Sequence, residues 1–581
     1  MQEETTNDSA KEAEAQAIIQ EARDRFQIAQ DGDRENRALG LHDLKVLFDT
    51  SWEPDEVNAR QNEFQNRPCL SFPKLNKLVQ KTANQIRLNN PGPKISPEDD
   101  GSDEKTAVKI TGLLRQILKN SDSDTIIAQA AENQMENSFG YIRVITERDG
   151  DESFDQKIAM DYIQNPFSVY IDPSSKSVIG EDIEWFFITD DMPRTEFKAE
   201  WPDAVLSPWD AQATGDQVNH WISEDTIRVV EYYRLVKDPD KLIEGVDGDG
   251  VKFKGLKSSF TEEKLENAVI TRKIDTIKRR WEWRKMSYNE ELDIADIATK
   301  RCPLVPVYGR IRVVNNKKRL FSLIRPGKDA QKMYDYWQSS AAEKLSQAQK
   351  TSYVGYKGQF KSDKRWEDAN INPAPYLEVD PVTIGGHPAP LPQQQPAPAP
   401  PLGYITAAQG ASQDMKEIIG VDDGIVNQTT GQNSSALQAN VLSGTALSIL
   451  NQNGELATYD FISNVHKSAR QLYKIIVDMI PNYYTEERVE RILNEDGTEE
   501  NVVFNGENED GEIYDLTTGQ YDVDIDISAD YATQKEQAAS ETLDFAKTFP
   551  NKADAIADIV AGNLSNKDSD KMQRRIMKTM D

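Results

Sequence analysis

Apolar residues return every three or four positions over residues 9–48, in a background of Ala, Glu, Gln and Arg. Ile18, Ile19, Ala22, Phe26 and Ala29 fall on one face, a period that predicts a long amphipathic helix. A turn at Trp52-Glu53-Pro54 follows. An extended run, Arg67-Pro68-Cys69-Leu70-Ser71-Phe72, then enters a second helix over about 74–89. Its inward residues are Leu75, Leu78, Val79, Ala83 and Ile86, and Asn89-Asn90-Pro91-Gly92-Pro93 ends it. A third helix over about 103–119 carries Val108, Leu113, Leu114 and Ile117. A fourth over about 122–138 is expected to close at Gly140.

The period then changes. Tyr141-Ile142-Arg143-Val144-Ile145, Lys157-Ile158-Ala159-Met160, Phe167-Ser168-Val169-Tyr170-Ile171 and Glu184-Trp185-Phe186-Phe187-Ile188 read as strands, the third ending at the turn Asp172-Pro173. A short helix over 193–201 leads to an alternating strand, Thr226 to Arg234. Residues 268–284 also read as strand, though locally basic. Pro303-Leu304-Val305-Pro306-Val307-Tyr308-Gly309 is extended because its prolines exclude helix. The block is α+β with antiparallel strands.

Helical spacing resumes over 328–350, where Ala330, Met333, Tyr334, Trp337, Ala341, Leu345 and Ala348 recur at three or four. Residues 351–402 hold short β-like pieces and a Pro/Gln/Ala run from Pro388 to Pro401 that favours polyproline II. Another helix covers about 403–419. Residues 421–434 form a polar, Gly-punctuated loop, and the longest helical pattern spans 435–480, with Gly444 and Gly454 as candidate bends and Pro481 as its expected stop. Strands and acidic turns fill 486–527, and a helix over about 533–548 precedes a polar tail. No internal repeat is visible.

Length changes this picture first: 581 residues suggest three or four folding units. Charge changes it more. With 98 acidic against 68 basic residues the net charge is -30, which argues against gripping nucleic acid by neutralising phosphates. Two distant cysteines, Cys69 and Cys302, fit a reducing assembly site. Mean hydropathy of -0.67, an acidic polar start and no apolar run near the ~20 residues of a bilayer span lead us to expect neither leader nor membrane anchor.

Chemistry adds little. No Gly-x4-Gly-Lys-Ser/Thr loop is present to cradle phosphates, and Pro326-Gly327-Lys328-Asp329 resembles only its end. His42, His220, His387 and His466 show no ligand spacing, so packing or surface roles are expected, with no catalytic residue, metal or cofactor. The strand from Tyr521 to Ile527 puts Asp522, Asp524 and Asp526 on one face. They could hold a hard cation; a solvated acidic face is the plainer reading, since no bracketing ligands follow. Gly245 to Gly250 resembles a calcium loop but has Ser258 at the twelfth position, and a hairpin turn fits it better. The basic stretch Arg272 to Arg284, with Trp281 and Trp283, could bind nucleic acid by charge and stacking. Its plainer reading is a strand pair making salt bridges between subunits. The Pro-rich run could serve a PxxP reader, though a linker at a lobe tip is the plainer reading.

Five segments, in order, resemble the portal proteins of P22-like short-tailed phages. They are Asn66 to Leu75 with Asn84 to Pro91; Asn165 to Pro173; Cys302 to Gly309 with Lys328 to Asp335; Ser443 to Ala446 running through Asn464 and Ala469-Arg470 to Asp478-Met479-Ile480-Pro481; and Ala529 to Glu536. No single motif decides; their order and spacing over about 60–550 are specific.

The resemblance implies a portal-type α+β fold in a ring, usually of about twelve subunits, at one capsid vertex. It implies an α/β wing (1–327), stem helices (328–350 and 403–419), a clip with the Pro-rich segment (351–402) and a tunnel loop (420–434). A long wing helix with an acidic β segment (435–532) and a short helical crown (533–581) complete it. Met333, Tyr334, Trp337, Leu345, Met415 and Ile418 are the stem residues so implied. Asp422, Asp423, Asn427, Gln428, Thr429, Thr430 and Gln432 would approach DNA in the tunnel. Major capsid and scaffold proteins, the terminase large subunit and tail adaptors are the implied partners, with double-stranded DNA passing unread through a channel in the virion after assembly in host cytoplasm. The type member carries a long C-terminal helical barrel; only a short crown is expected here. An acidic lining suits such a channel, because like charge keeps a sliding duplex from being trapped. Two other readings stay open. One is a different head–tail structural protein, which the strand-rich middle disfavours. The other is an acidic cytosolic hydrolase with metal at Asp522, Asp524 and Asp526.

Overall fold

The computed structural model describes residues 2–63, 67–88, 92–98, 103–148, 150, 154–204, 226–246, 252–260, 265, 268–288, 290–315, 317–347, 353–367, 375–394, 402–420, 444–494, 498–508, 513–516 and 519–526. The chain opens with α1 (Gln2–Leu44), a π-helical turn (Lys45–Asp49), α2 (Pro54–Asn58) and α3 (Lys74–Leu88). Then come β1 (Gly92–Pro97), α4 (Glu104–Asn120), α5 (Ser123–Asn137), β2 (Phe139–Arg148), β3 (Gln156–Tyr162), β4 (Val169–Ile171), β5 (Trp185–Pro193) and α6 (Arg194–Glu200). The middle holds β6 (Thr226–Val246), β7 (Lys252–Leu256), β8 (Val269–Met286), β9 (Glu291–Ile297), β10 (Leu304–Tyr308), β11 (Arg310–Val314) and β12 (Lys317–Phe321). After α7 (Lys328–Gln347) come four two-residue strands between Tyr353 and Gln394, then α8 (Leu402–Ile419), α9 (Gly444–Tyr483), and β13 (Arg488–Leu493), β14 (Glu499–Phe504) and β15 (Tyr521–Asp526).

Contacts group the chain into two compact units, not the three or four its length suggests. The first is Met1–His42, Val79–Leu323 and Glu455–Asp581; the second is Asp43–Leu78 and Ile324–Gly454. Each unit is assembled from separated segments, so a count of residues per contiguous domain does not apply. No helix among the described residues is long and apolar enough to cross a membrane.

In the first unit the main sheet runs β4-β5-β6-β8-β9, with β7 beside β6, all neighbours antiparallel. Both faces of its centre are covered, which explains the unbroken apolar run in β5. Phe187 and Tyr232 stack at 4.6 Å on the face that meets Ile18, Ala22, Phe26 and Ala29 of α1. Phe186 and Tyr233 stack at 4.3 Å on the other, within a core shared with Phe139, Trp281, Leu304 and Tyr308. Side chains alternate along a strand, so neighbouring aromatics serve opposite cores.

A second sheet, β10-β2-β3, lies against α5. Pro306 sits in its edge strand, where a missing N–H is tolerated. The outer carbonyls of that edge are taken by α9: Asn464 Nδ2 donates to the Tyr308 and Gly309 oxygens at 3.1 and 2.9 Å, and Ser468 Oγ to the Pro306 oxygen at 2.8 Å. On α5, burial beside Glu132 pushes the Glu136 carboxyl up to about 8.

Several sequence expectations are corrected. Helix α5 closes at Ser138, which takes a left-handed conformation (φ 86°), while Gly140 lies inside β2. A Cβ there would stand 2.2 Å from the Ala130 carbonyl, so close backbone approach, not helix ending, requires the glycine. Pro481 does not stop α9; the helix runs to Tyr483, and Tyr484 N donates to Ile480 O at 2.9 Å, so the last turn closes beyond the proline. Val108 is on the solvent side of α4. The expected strand over 167–171 begins as a 3₁₀ turn, Pro166–Ser168, with strand only from Val169. Strand β6 continues past Arg234 to Val246; the remaining residues of the expected Gly245–Gly250 turn lie outside the described residues.

Candidate functional site

Helices α7 and α8 are the paired elements of the second unit. Ala408, Ala411, Met415 and Ile419 form the buried stripe of α8, and Trp337 of α7 meets Tyr404 of α8 at 5.8 Å between ring centroids. Spacing of three and four brings these residues to one face. Gly327, at the entry to α7, lies against Ile419, with 2.8 Å left for a Cβ.

A polar stripe on α7 then holds the extended segment 67–72. Gln331, Asp335, Ser339 and Glu343 fall on one line of the helix, and all four are buried. Asp335 Oδ1 accepts from the Phe72 backbone N–H at 3.0 Å, and its Oδ2 accepts from Ser51 Oγ at 2.6 Å and Gln331 Nε2 at 3.0 Å. Gln331 Nε2 also donates to the Phe72 carbonyl at 2.6 Å. Ser339 Oγ accepts from the Leu70 N–H at 2.9 Å, and Glu343 faces Arg67 at 3.3 Å and Arg60 at 3.6 Å. The segment is thus read by side chains of a helix as a strand would be read by a neighbouring strand. Burial raises the Asp335 carboxyl above the ordinary carboxylate range, against the pull of its three donors.

The start of α7 is fixed by charge. Asp43, fully buried, takes Arg325 Nε and Nη2 on one oxygen at 2.9 and 2.7 Å and Lys328 Nζ on the other at 2.6 Å. Two cations on one buried carboxylate satisfy both oxygens and tie the end of α1 to the first turn of α7.

The residues expected for the stem divide between these roles. Met415 lies in the buried stripe of α8, Tyr334 is buried against Phe72 and Lys74, and Trp337 is half-buried between Tyr336 and Tyr404. Met333, Leu345 and Ile418 are exposed, at 45, 64 and 52 %. Ile405 is exposed as well, so apolar side chains of both helices remain uncovered. Asp422, Asp423, Asn427, Gln428, Thr429, Thr430 and Gln432, the helix start over 435–443, the tail over 533–581 and His220 lie outside the described residues.

The other candidate chemistry is brought into ion pairs. Asp522 meets Lys474 at 2.9 Å and Arg470 at 3.7 Å, and Asp524 meets Arg470 at 3.6 Å, so α9 answers a face expected to be merely solvated. The Lys474 ammonium holds the Asp522 carboxyl below its ordinary value despite partial burial. Among the described residues no group of three or more His, Cys, Asp or Glu could hold a metal ion. In the basic stretch, Arg280 pairs with Asp238 at 3.1 Å and with Asp296, and Arg284 with Glu282 at 2.9 Å and with Glu291. Within the chain these bridges join β8 to its neighbours β6 and β9 and run along β8 itself. Trp281 is buried in the core, so the stretch loses an aromatic expected to stack on bases. Burial lowers His466, and burial raises the Cys302 thiol, away from reactive thiolate behaviour.

Sequence reading missed Asp43, Arg325, Gln331, Asp335, Ser339 and Glu343. Four of them, Gln331, Asp335, Ser339 and Glu343, recur every four residues on one helix, a spacing that in sequence reads as a solvated face.

The family described as phage P22-like portal protein matches residues 23–581 of this chain. A curated portal protein of Acyrthosiphon pisum secondary endosymbiont phage 1 is 25% identical over 506 residues, covering 82% of this chain and 68% of that protein.

Proposed function

The chain belongs to the phage P22-like portal protein family, and from that premise we propose that it acts as a ring of identical subunits around a channel for double-stranded DNA. Its function is that of a phage portal protein, and its place is the virion capsid. The family is structural and not enzymatic.

The proposal assigns α7 and α8 to the stem, and residues 351–402 between them to a clip facing the terminase large subunit during packaging and tail adaptors afterwards. The α+β unit is the wing, contacting major capsid and scaffold proteins, with α9 and the acidic β segment (435–532) as its spine. Residues 420–434 form the tunnel loop, where Asp422, Asp423, Asn427, Gln428, Thr429, Thr430 and Gln432 approach DNA. Residues 533–581 form a short crown. Assembly takes place in the host cytoplasm, and about twelve subunits close the ring.

The observation that carries this reading is the exposed apolar area of Met333, Leu345, Ile405 and Ile418 on two helices that already pack against each other. Copies of the same pair, side by side, would cover it. Each subunit adds a net charge of -30, which suits a channel that must not retain a polyanion.

Native mass spectrometry with negative-stain imaging tests the proposal. An assembly near a whole multiple of the 65.6 kDa subunit, with a central opening in end-on views, is expected. A monomer, or particles without an opening, would overturn it. A continuous basic lining would overturn the charge argument alone.

A further inference from the structure

Strands β6 and β8 continue well beyond the sheet that holds them. β5 pairs with β6 only from Thr226 to Arg234, and β9 with β8 only from Trp281 to Met286, yet β6 and β8 stay paired out to Val246 and Val269. Ten residues of β6, Lys237–Val246, therefore run on as a ribbon of about 34 Å, joined at its end by β7 alone. Among the described residues no strand lies on the outer edge of β8 between Val269 and Arg280.

That edge is apolar and basic together. Val269, Ile270, Ile274 and Ile277 are exposed. Arg272, Lys273, Lys278, Arg279 and Arg280 face a single acid, Asp275, in the same stretch, within a chain of net charge -30. Arg280 is matched by Asp238 and Asp296, and Lys278 lies near Asp240. No ion pair is shown for Arg272, Lys273 or Arg279 among the described residues.

A two-stranded ribbon is marginal by itself in water, and a long aliphatic edge is a template for pairing. We infer that the β8 edge from Val269 to Arg280 docks on the acidic surface of a second copy of this chain. Charge complementarity selects that partner: Arg272, Lys273 and Arg279, for which no ion pair is shown, would meet a chain of net charge -30. The exposed large apolar side chains of this edge are aliphatic, and the nearby Trp281 is buried, so the edge offers no base-stacking platform. The contact rests on the reading of the chain as a multi-subunit ring.

The test uses the assembled full-length protein. A zero-length carbodiimide joins lysine amines to carboxylates in contact. Peptides linking Lys273 to a carboxylate are expected in the dimer band of a denaturing gel and not in the monomer band. In parallel, the variant Arg272→Glu/Lys273→Glu/Arg279→Glu is expected to lower the salt concentration at half-dissociation by at least about twofold. A ring whose dimer band lacks such peptides and whose salt midpoint is unchanged in the variant overturns the ribbon contact and leaves the ring standing. A wild-type monomer overturns both. Loss of duplex-DNA binding in the variant with assembly untouched replaces the second copy by DNA and overturns the proposal.

Discussion

Replacing Asp335 with alanine should release the segment 67–72 from α7. The carboxylate accepts three hydrogen bonds, from Ser51 Oγ, the Phe72 N–H and Gln331 Nε2. Ser51 and Gln331 are buried, so their donors would be stranded at about 1–2 kcal/mol each, and the Phe72 amide would lose about 1 kcal/mol. Relief of a buried carboxylate offsets part of this. A net cost of about 3 kcal/mol corresponds to roughly 100-fold in the opening equilibrium. Hydrogen exchange of the Leu70 and Phe72 amides reads it directly, because both donate to side chains of α7. Their exchange should accelerate roughly 100-fold in the alanine variant. In Asp335→Asn, which keeps one acceptor for Phe72, about tenfold is expected. Unchanged exchange in the alanine variant would refute the clamp.

Glu136→Gln should flatten the pH dependence of stability. The folded carboxyl titrates at about 8 against an ordinary 4.5, so the folded state holds its proton more tightly. Stability from this group is full below 4.5 and lost as pH rises through about 8, making the variant more stable by at most about 3 kcal/mol at pH 7; parallel denaturation curves across that range would contradict it. Gly140→Ala should cost about 3 kcal/mol or more in thermal unfolding, since a Cβ meets the Ala130 carbonyl, whereas Gly92→Ala, with nothing within 4 Å, should be near neutral. Asp522→Asn should cost under about 1 kcal/mol, and a chelator should leave Tm unchanged, because Lys474 and Arg470 already answer the carboxylates; a drop of several degrees on chelation would restore the metal reading.

The helices flanking the Pro-rich segment were legible almost to the residue, because burial of Ala408, Ala411 and Met415 imposes the period that reveals them. The clamp on the other side of α7 was not. Gln331, Asp335, Ser339 and Glu343 are buried, yet in sequence a polar stripe reads as a solvated face, since partners hundreds of residues away are invisible to local spacing. The full length of β6 was hidden for a related reason: Asp238, Pro239 and Asp240 interrupt the alternation, and only pairing with β8 keeps the backbone extended there. The acidic strand β15 misled in the opposite sense. Its aspartates gave a clean pattern for either solvent or a cation, and the deciding cations sit on α9.

The interleaving of the two units sets an order of completion on the ribosome. All parts of the second unit have been synthesised once residue 454 is made, whereas the Pro306 carbonyl on the outer edge of its strand awaits Ser468, and the Gly309 carbonyl awaits Asn464. The unit begun first is therefore finished last. A nascent chain halted near residue 450 would display an uncapped β edge, a hazard for premature association that full-length synthesis removes within seconds.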